Sequence, residues 1–262
     1  MSDALTTTAS ARSGLPEIRR IGFGDLRAAL SEGLSDFAAI PTQLVFLCIL
    51  YPIIGLVAAR SAGDETLLPL LFPLVAGLSL MGPLLAVGIY ELSRRRDAGL
   101  PLSWLDAFRV FRSPSMPSIA ALGAVLLAVF VAWLLAARAI YVLTVGSVPL
   151  ASVGDLAQHV LNSPAAWQLV VLGNLIGLLF AAFVLAMSVT SFPMLLDRNV
   201  GPVVAVRTSF RAVAANPVVM AAWGLVVVGA LALGSLPVFL GLAVVMPVLG
   251  HATWRLYRKV IV

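Results

Sequence analysis

Few side chains in this sequence could carry chemistry, and those that could lie beside apolar runs long enough to cross a membrane. Glu91 and Asp197 each close such a run, and His251 lies inside the last one. Ionisable groups at membrane depth are costly and are therefore functional candidates. With nearby basic and amide groups they form a predicted inner-interface polar cluster, for a proton, an anion or a lipid headgroup. Its members are Glu91, Asp197, Arg198, Arg211, Asn216, His251 and Arg255.

The same cluster has a simpler interpretation, in which its members are ion pairs and caps that order the cytoplasmic ends of helices. The more specific hypothesis is a coupled pair formed by Glu91 and His251. A second feature is the Gly-x-x-x-Gly pattern made by Gly173 and Gly177, which predicts close helix packing. Asn174 lies between them and could form a hydrogen bond across the contact.

Several classes of site are disfavoured. Cys48 is the single cysteine, so the chain can form neither an internal disulfide nor a cysteine-based metal site. The chain also has only two histidines. The sequence has no phosphate-binding P-loop, no His-Glu-x-x-His and no Gly-x-Ser-x-Gly. We therefore predict no catalytic residue, no cofactor and no metal, and we expect that the protein is not an enzyme. The basic residues follow one membrane face, which favours lipid contact over nucleic-acid binding.

The elements that position these residues are predicted to be membrane helices. The chain is 61% hydrophobic and 11% charged, against roughly 25% charged in soluble domains. Residues 212–254 contain no charged side chain. As one helix they would be roughly 65 Å long, about twice the hydrocarbon core of a bilayer. The segment must therefore fold back, and Gly234 and Pro237 mark the turn.

We predict an all-α, polytopic membrane protein with one membrane domain at 21–262 after a disordered tail at 1–20. Charged residues and the Gly-Pro break define the spans, each long enough to cross a bilayer. The six predicted spans are residues 37–59, 67–91, 115–138, 165–192, 217–234 and 236–254.

The distribution of basic residues predicts the orientation. With both termini in the cytoplasm, 15 of the 17 basic residues lie inside, and only Arg60 and Arg138 lie outside. Such an excess is typical of cytoplasmic loops. Because 16 of the basic residues are arginine, as in GC-rich coding, we expect a bacterial inner membrane. The predicted partner is the lipid bilayer, with anionic headgroups on the cytoplasmic side.

Three cytoplasmic segments, at about 25–37, 102–112 and 203–215, are predicted to be amphipathic helices that each introduce a pair of spans. Such helices lie in the interface with their apolar side in lipid and their arginines among phosphates. The predicted apolar sides are Leu26, Leu30, Leu34 and Phe37; Trp104, Leu105, Phe108 and Phe111; and Val203, Val206, Phe210 and Val213.

Several motifs resemble a known family. They are Gly82-Pro83-Leu84 with residues 88–91, residues 193–197 with Ser209 and Asn216-Pro217, and residues 250–258. Over about residues 20–260 the chain resembles an uncharacterised bacterial family of predicted integral membrane proteins, a domain of unknown function. The resemblance implies an inner-membrane protein with about six helices, and it brings no assigned reaction.

Two functions remain open at this point, and a third, a membrane enzyme acting at the inner leaflet, is disfavoured because the sequence offers no convergent nucleophile or metal constellation for it. The first is a non-enzymatic accessory or scaffold subunit that associates with another membrane complex or with copies of itself. The alternative is a small transporter or channel for a lipid, an anion or a hydrophobic solute.

Overall fold

The computed structural model describes residues 16–40, 71–146, 158, 164–236 and 240–262. Within these ranges the chain is helical, as predicted, and its β-structure is limited to an isolated bridge. A 3₁₀ helix spans Trp104–Arg112. The α-helices are α1 (Phe23–Ala39), α2 (Leu71–Leu80), α3 (Gly82–Leu85), α4 (Val87–Asp97), α5 (Met116–Thr144), α6 (Pro164–Ser188), α7 (Ser191–Asp197), α8 (Pro202–Ala215), α9 (Pro217–Ser235) and α10 (Leu242–Val260).

Three helical segments in the described ranges are long and apolar enough to cross a membrane: Met116–Thr144, Trp167–Asp197 and Pro217–Ser235. They match the third, fourth and fifth predicted spans. Most of the first predicted span, together with Cys48, lies outside the described residues. The full set of six spans therefore stays a prediction.

The second predicted span is interrupted. It consists of α2, α3 and α4, with turns at Met81 and Ala86. Pro83 accounts for the interruption, because proline lacks a backbone N–H and its ring clashes with the carbonyl four residues earlier. The last of these helices continues beyond Glu91 to Asp97, and much of it is buried. Glu91 therefore lies within a buried helix and does not mark its end.

The C-terminal half of α10 forms the centre of a buried core. His251, Ala252, Trp254 and Tyr257 are almost completely inaccessible there. α1 packs along this part of α10, and a Cβ atom built on Gly33 would lie 2.6 Å from the backbone nitrogen of Ala252. Glycine is therefore required at residue 33 for close approach of the two helices.

The 3₁₀ helix before α5 and helix α8 before α9 bury mainly small and polar side chains, and α1 does so in part. In α1 the buried residues are Leu26, Ala29, Gly33 and Asp36, in the 3₁₀ helix Asp106, Ala107 and Val110, and in α8 Ala205, Thr208, Ser209 and Ala212. Bulky apolar side chains of the predicted apolar sides face outward, including Leu34, Trp104, Leu105, Phe108, Phe111, Val203 and Phe210. The other members of the predicted apolar sides do not face outward: Leu26 is buried, Leu30, Val206 and Val213 are partly buried against the core, and Phe37 is half-buried. Small side chains allow the close helix contacts on the inner side.

The two ends of the described chain lie together. Ile18 and Ile261 form an antiparallel bridge, and Arg19 N–H donates to the carbonyl of Val260 at 2.8 Å. The segment at 17–20, which the sequence assigns to the disordered tail, is thus held against the C-terminus. Asn216 secures it further, because its amide accepts from Ile21 N–H at 2.8 Å and donates to the Arg19 carbonyl at 3.1 Å.

We expect Gly33→Ala to destabilise the protein by about 1–3 kcal/mol, the usual cost of overpacking a close contact. Gly24→Ala is the matched control, since it lies in the same helix with open space around it. Thermal unfolding of the purified protein in detergent measures both variants. Equal midpoints for the two would show that the contact with Ala252 relaxes without cost.

Candidate functional site

A turn after α4 brings several arginines of that helix beside the 3₁₀ helix. Gly99 adopts φ +64°, a left-handed conformation that favours glycine. Its N–H donates to the Arg96 carbonyl and Leu100 N–H donates to the Arg95 carbonyl, both at 3.0 Å. This pair of hydrogen bonds is the Schellman motif that ends a helix. Ser103 and Asp106 then cap the 3₁₀ helix in a capping box.

An open depression of about 440 Å³ lies between the end of α4, the 3₁₀ helix, the start of α5 and the end of α7. We call it the arginine depression. Its lining residues are Glu91, Arg94, Arg95, Arg109, Arg112, Ser113, Pro114, Ser115, Leu196, Asp197 and Asn199. The lining carries four guanidinium groups and two carboxylates, so its net formal charge is +2. A site of this charge favours anions.

Two of the four arginines are held by internal carboxylates. Arg94 forms a bidentate pair with Glu91, with both N···O distances 2.8 Å. Arg109 donates through Nε to Asp106, which also accepts from Ser103 N–H. Burial favours the neutral form of Asp106, but these hydrogen bonds and the charge of Arg95 hold the pKa of its carboxyl below the usual range. Both carboxylates therefore position arginines.

Asp197 also lines the arginine depression, and its hydrogen-bond donors come from α10. It accepts a hydrogen bond from the Tyr257 hydroxyl at 2.7 Å and from Arg258 at 3.2 Å, and Arg198 lies 4.0 Å away. Burial and the nearby carboxylate raise the pKa of the Tyr257 hydroxyl, so it stays protonated and remains a donor. The negative charge of Asp197 is thus compensated within the protein.

The remaining two arginines have donor capacity to spare. Arg95 donates to the carbonyl of Pro101 through Nη2. Its Nε is buried without a hydrogen-bond partner, and the nearest carboxylate oxygen, on Asp106, is 3.8 Å away. For Arg112 no ion pair is found within the described part of the chain. Arg112 could therefore bind an anion without breaking an internal salt bridge, and Arg95 would have to weaken only its 3.8 Å ion pair with Asp106.

A second charged cluster joins α1, α4 and α10. Asp36 is only 2% exposed and accepts from Arg96 at 2.6 Å and from Arg255 at 2.8 and 2.9 Å. Arg255 also donates to Asp97 at 2.6 Å, and the indole of Trp254 donates to the same carboxylate at 2.9 Å. Such a cluster stabilises the packing of the three helices as long as every charge keeps its partner.

His251 is paired with Ser93 and not with Glu91. Its Nδ1 lies 2.7 Å from Ser93 Oγ, and both side chains are fully buried. Successive helical residues turn by about 100°, so residues 91 and 93 point in nearly opposite directions. Glu91 faces the arginine depression and Ser93 faces α10. The structure therefore does not form the hypothesised Glu91–His251 pair.

The predicted polar cluster thus separates into several local arrangements. Glu91 and Asp197 share the arginine depression, with Arg198 beside it, and Arg255 belongs to the Asp36 cluster. Asn216 holds the N-terminal segment, as described above. Arg211 is exposed on α8.

Only one of the two glycines in the Gly-x-x-x-Gly pattern of α6 makes a close helix contact among the described residues. A Cβ atom on Gly177 would lie 3.2 Å from the Trp133 ring, so this glycine does permit close packing against α5. Gly173 has open space around it among the described residues. Asn174 is exposed and donates to the Val170 carbonyl of its own helix at 2.7 Å, so this hydrogen bond does not cross a helix contact.

The sequence did not identify Asp36, Ser93 and Asp97 as members of these clusters. It predicted only a general contact with lipid for Arg95, Arg109 and Arg112. One available signal was the position of Asp36 three residues after Gly33, on the small-residue side of α1. A carboxylate on a side that must pack closely requires a buried partner. The partners themselves come from distant segments, which spacing alone does not reveal.

Comparison with known proteins identifies a family for part of the chain. Residues 71–197 match a family described as "Predicted integral membrane protein (DUF2189)". The predicted resemblance is confirmed over this range, which includes the segments at 82–91 and 193–197; the motif at 250–258 lies beyond it. No curated protein and no solved structure matches the chain.

We expect Asp36→Asn to lower the free energy of unfolding by about 3 kcal/mol, because Arg96 and Arg255 would lose their buried counter-charge. Glu32→Gln in the same helix is the control. Its partner is Lys259 at 2.8 Å, and Glu32 is 43% exposed, so we expect a loss of about 0–1 kcal/mol. Chemical unfolding in detergent compares them, and similar losses would argue against the structural role of Asp36.

Proposed function

We propose that this membrane protein binds the anionic lipid surface on the cytoplasmic side of a bacterial inner membrane and has no catalytic role. α1, the 3₁₀ helix and α8 would lie in the headgroup layer there, with both termini in the cytoplasm.

One observation carries this proposal, namely that the 3₁₀ helix exposes four bulky apolar side chains, Trp104, Leu105, Phe108 and Phe111, and that α8 exposes Val203 and Phe210. On the 3₁₀ helix Leu105 is 57% exposed and Phe111 is 64% exposed, whereas Asp106 and Ala107 are buried. In water the hydrophobic effect would favour the opposite arrangement. At a membrane interface the acyl region covers the outward apolar side.

Arginine placement supports an anionic lipid surface in particular. Arg27, Arg109, Arg207 and Arg211 are exposed on the same three helices. Each basic side chain near an anionic leaflet contributes about 1 kcal/mol of attraction. The 15 to 2 distribution of basic residues in the sequence supports the cytoplasmic side. The pairing of the two chain ends agrees with termini on one side of the membrane.

The depth of the 3₁₀ helix in a bilayer tests the proposal. We expect a spin label at Phe111→Cys, in a Cys48→Ser background, to lie about 5–10 Å below the lipid phosphates. Electron paramagnetic resonance in nanodiscs measures this depth from collisions with oxygen and with a water-soluble nickel chelate. A label at Leu225→Cys, on the exposed side of α9, is the lipid-embedded reference.

The lipid composition of the nanodisc provides a second readout. Since arginine attraction requires negative headgroups, we expect deeper immersion of the label at residue 111 as anionic lipid replaces zwitterionic lipid, and no change at residue 225. A label at residue 111 that remains in water in every lipid mixture would overturn the proposal.

A second candidate function is that of an accessory or scaffold subunit, and the open side of α6 favours it. Leu175, Leu178 and Leu179 are more than half exposed there. Gly173 lies about 200° around the helix from Leu175, on the same side as Gly177, and leaves a separate notch that no described residue fills. Small residues at such positions permit another membrane helix to approach closely.

For this second candidate we expect Gly173→Leu to release an associated protein, because the larger side chain fills the notch. Native electrophoresis after mild detergent extraction measures the mass of the complex. Gly229→Leu on α9, which also has open space around it, is the control. An assembly that is unchanged by Gly173→Leu would exclude this contact.

A further inference from the structure

We propose that the arginine depression binds the phosphate group of a lipid, and that the group it favours is a phosphomonoester. This inference rests on the proposed binding of anionic lipids and names the headgroup chemistry and the residues that recognise it. Arg95 and Arg112 would supply the principal donors, while Arg94 and Arg109 are held in position by Glu91 and Asp106.

The first argument concerns which charges are available. Glu91 receives two hydrogen bonds from Arg94, and Asp197 receives hydrogen bonds from Tyr257 and Arg258. Neither carboxylate therefore requires Arg95 or Arg112 as a partner, and the ion pair of Arg95 with Asp106 is long, at 3.8 Å. The Nε of Arg95 is buried without a hydrogen bond, a costly condition for a cationic group. An anion in the depression would satisfy it.

The second argument concerns geometry and charge. A guanidinium group presents paired donors that match two oxygens of a phosphate. A phosphomonoester has three terminal oxygens and a charge between about −1.5 and −2 at neutral pH, whereas a phosphodiester has two such oxygens and one charge. The net formal charge of +2 on the lining matches the monoester better. The residues before α5 also line the depression, and the positive end of that helix adds to the attraction.

The third argument concerns the source of the phosphate. Arg109 and Arg112 line the depression, and each directly follows an outward aromatic residue, Phe108 or Phe111. The two rings stack with their centroids 6.5 Å apart. A single helix thus presents donors to the headgroup and an apolar side to the acyl chains. This combination fits a lipid better than a free phosphate ion.

Binding of short-chain lipids to the full chain in detergent tests this inference. The ligands are dioctanoyl phosphatidic acid, which is a monoester, dioctanoyl phosphatidylglycerol, which is a diester, dioctanoyl phosphatidylcholine and sodium phosphate at constant ionic strength. Native mass spectrometry and thermal shift measure occupancy and affinity. We expect phosphatidic acid to bind about tenfold more tightly than phosphatidylglycerol, since one further charge-assisted contact is worth roughly that factor.

Variants of the exposed arginines locate the site. We expect Arg112→Gln to reduce the affinity for phosphatidic acid on the order of tenfold and Arg112→Lys to reduce it less, because lysine keeps the charge but loses the paired donors. Arg138→Gln, an exposed arginine near the opposite end of α5 and outside the lining, is the control and should leave the affinity unchanged. Unfolding midpoints of the free variants confirm that each is folded.

The outcomes separate the two proposals. If phosphatidylcholine binds as tightly as the anionic lipids, both the proposed function and this inference fail. If the two anionic lipids bind equally, or Arg112→Gln binds like the parent protein, only the arginine depression is excluded as the phosphomonoester site. If sodium phosphate binds as tightly as phosphatidic acid, the site recognises a soluble anion and the assignment to a lipid is wrong.

Discussion

The buried carboxylate of Asp36, enclosed by Arg96 and Arg255, is the interaction on which the rest of the structure depends. A buried charge is tolerated only when it is compensated, so α1, α4 and α10 are held in one arrangement. In that arrangement Tyr257 of α10 lies against Asp197. The same arrangement orients α4 so that Arg94 and Arg95 line the arginine depression. The candidate site is therefore a consequence of helix packing that begins at residue 36.

Each short helix has one side that packs against the protein and another side that faces outward. Gly33, Ala107 and Ala205 face the protein, where backbones must approach closely, and Phe111 and Val203 face outward. The hydrophobic effect does not favour burying bulky side chains inside a protein that lies in lipid, since lipid tails are equally apolar. Small residues and satisfied polar groups determine which sides of these short helices face the protein, while bulky side chains such as Trp254 and Tyr257 fill the core of α10. This explains why buried hydroxyls such as those of Ser93 and Thr208 occur beside membrane helices.

Much of the architecture could be predicted from the sequence, because it follows from local properties. The apolar runs of α5, α6 and α9 predict helices of membrane length, and α6, α8 and α9 each begin at a proline, a residue favoured at the first helical position. The interruption near Pro83 follows from the missing N–H and the ring of proline, whereas the continuation of α4 to Asp97 depends on burial against α10. The pairing of His251 with Ser93 and of Arg255 with Asp36 joins residues 158 and 219 positions apart. Only the tertiary fold brings such residues together, so spacing within the sequence could not identify them.

The bridge between Ile18 and Ile261 has a consequence for how the protein is made. Ribosomes add about 5–20 residues per second, so roughly ten to fifty seconds separate the synthesis of the first helix from that of its partner α10. During this interval the membrane helices enter the bilayer while Asp36 and Gly33 have no α10 to pack against. The buried core that α1 shares with α10 is therefore completed only after α10 has been synthesised.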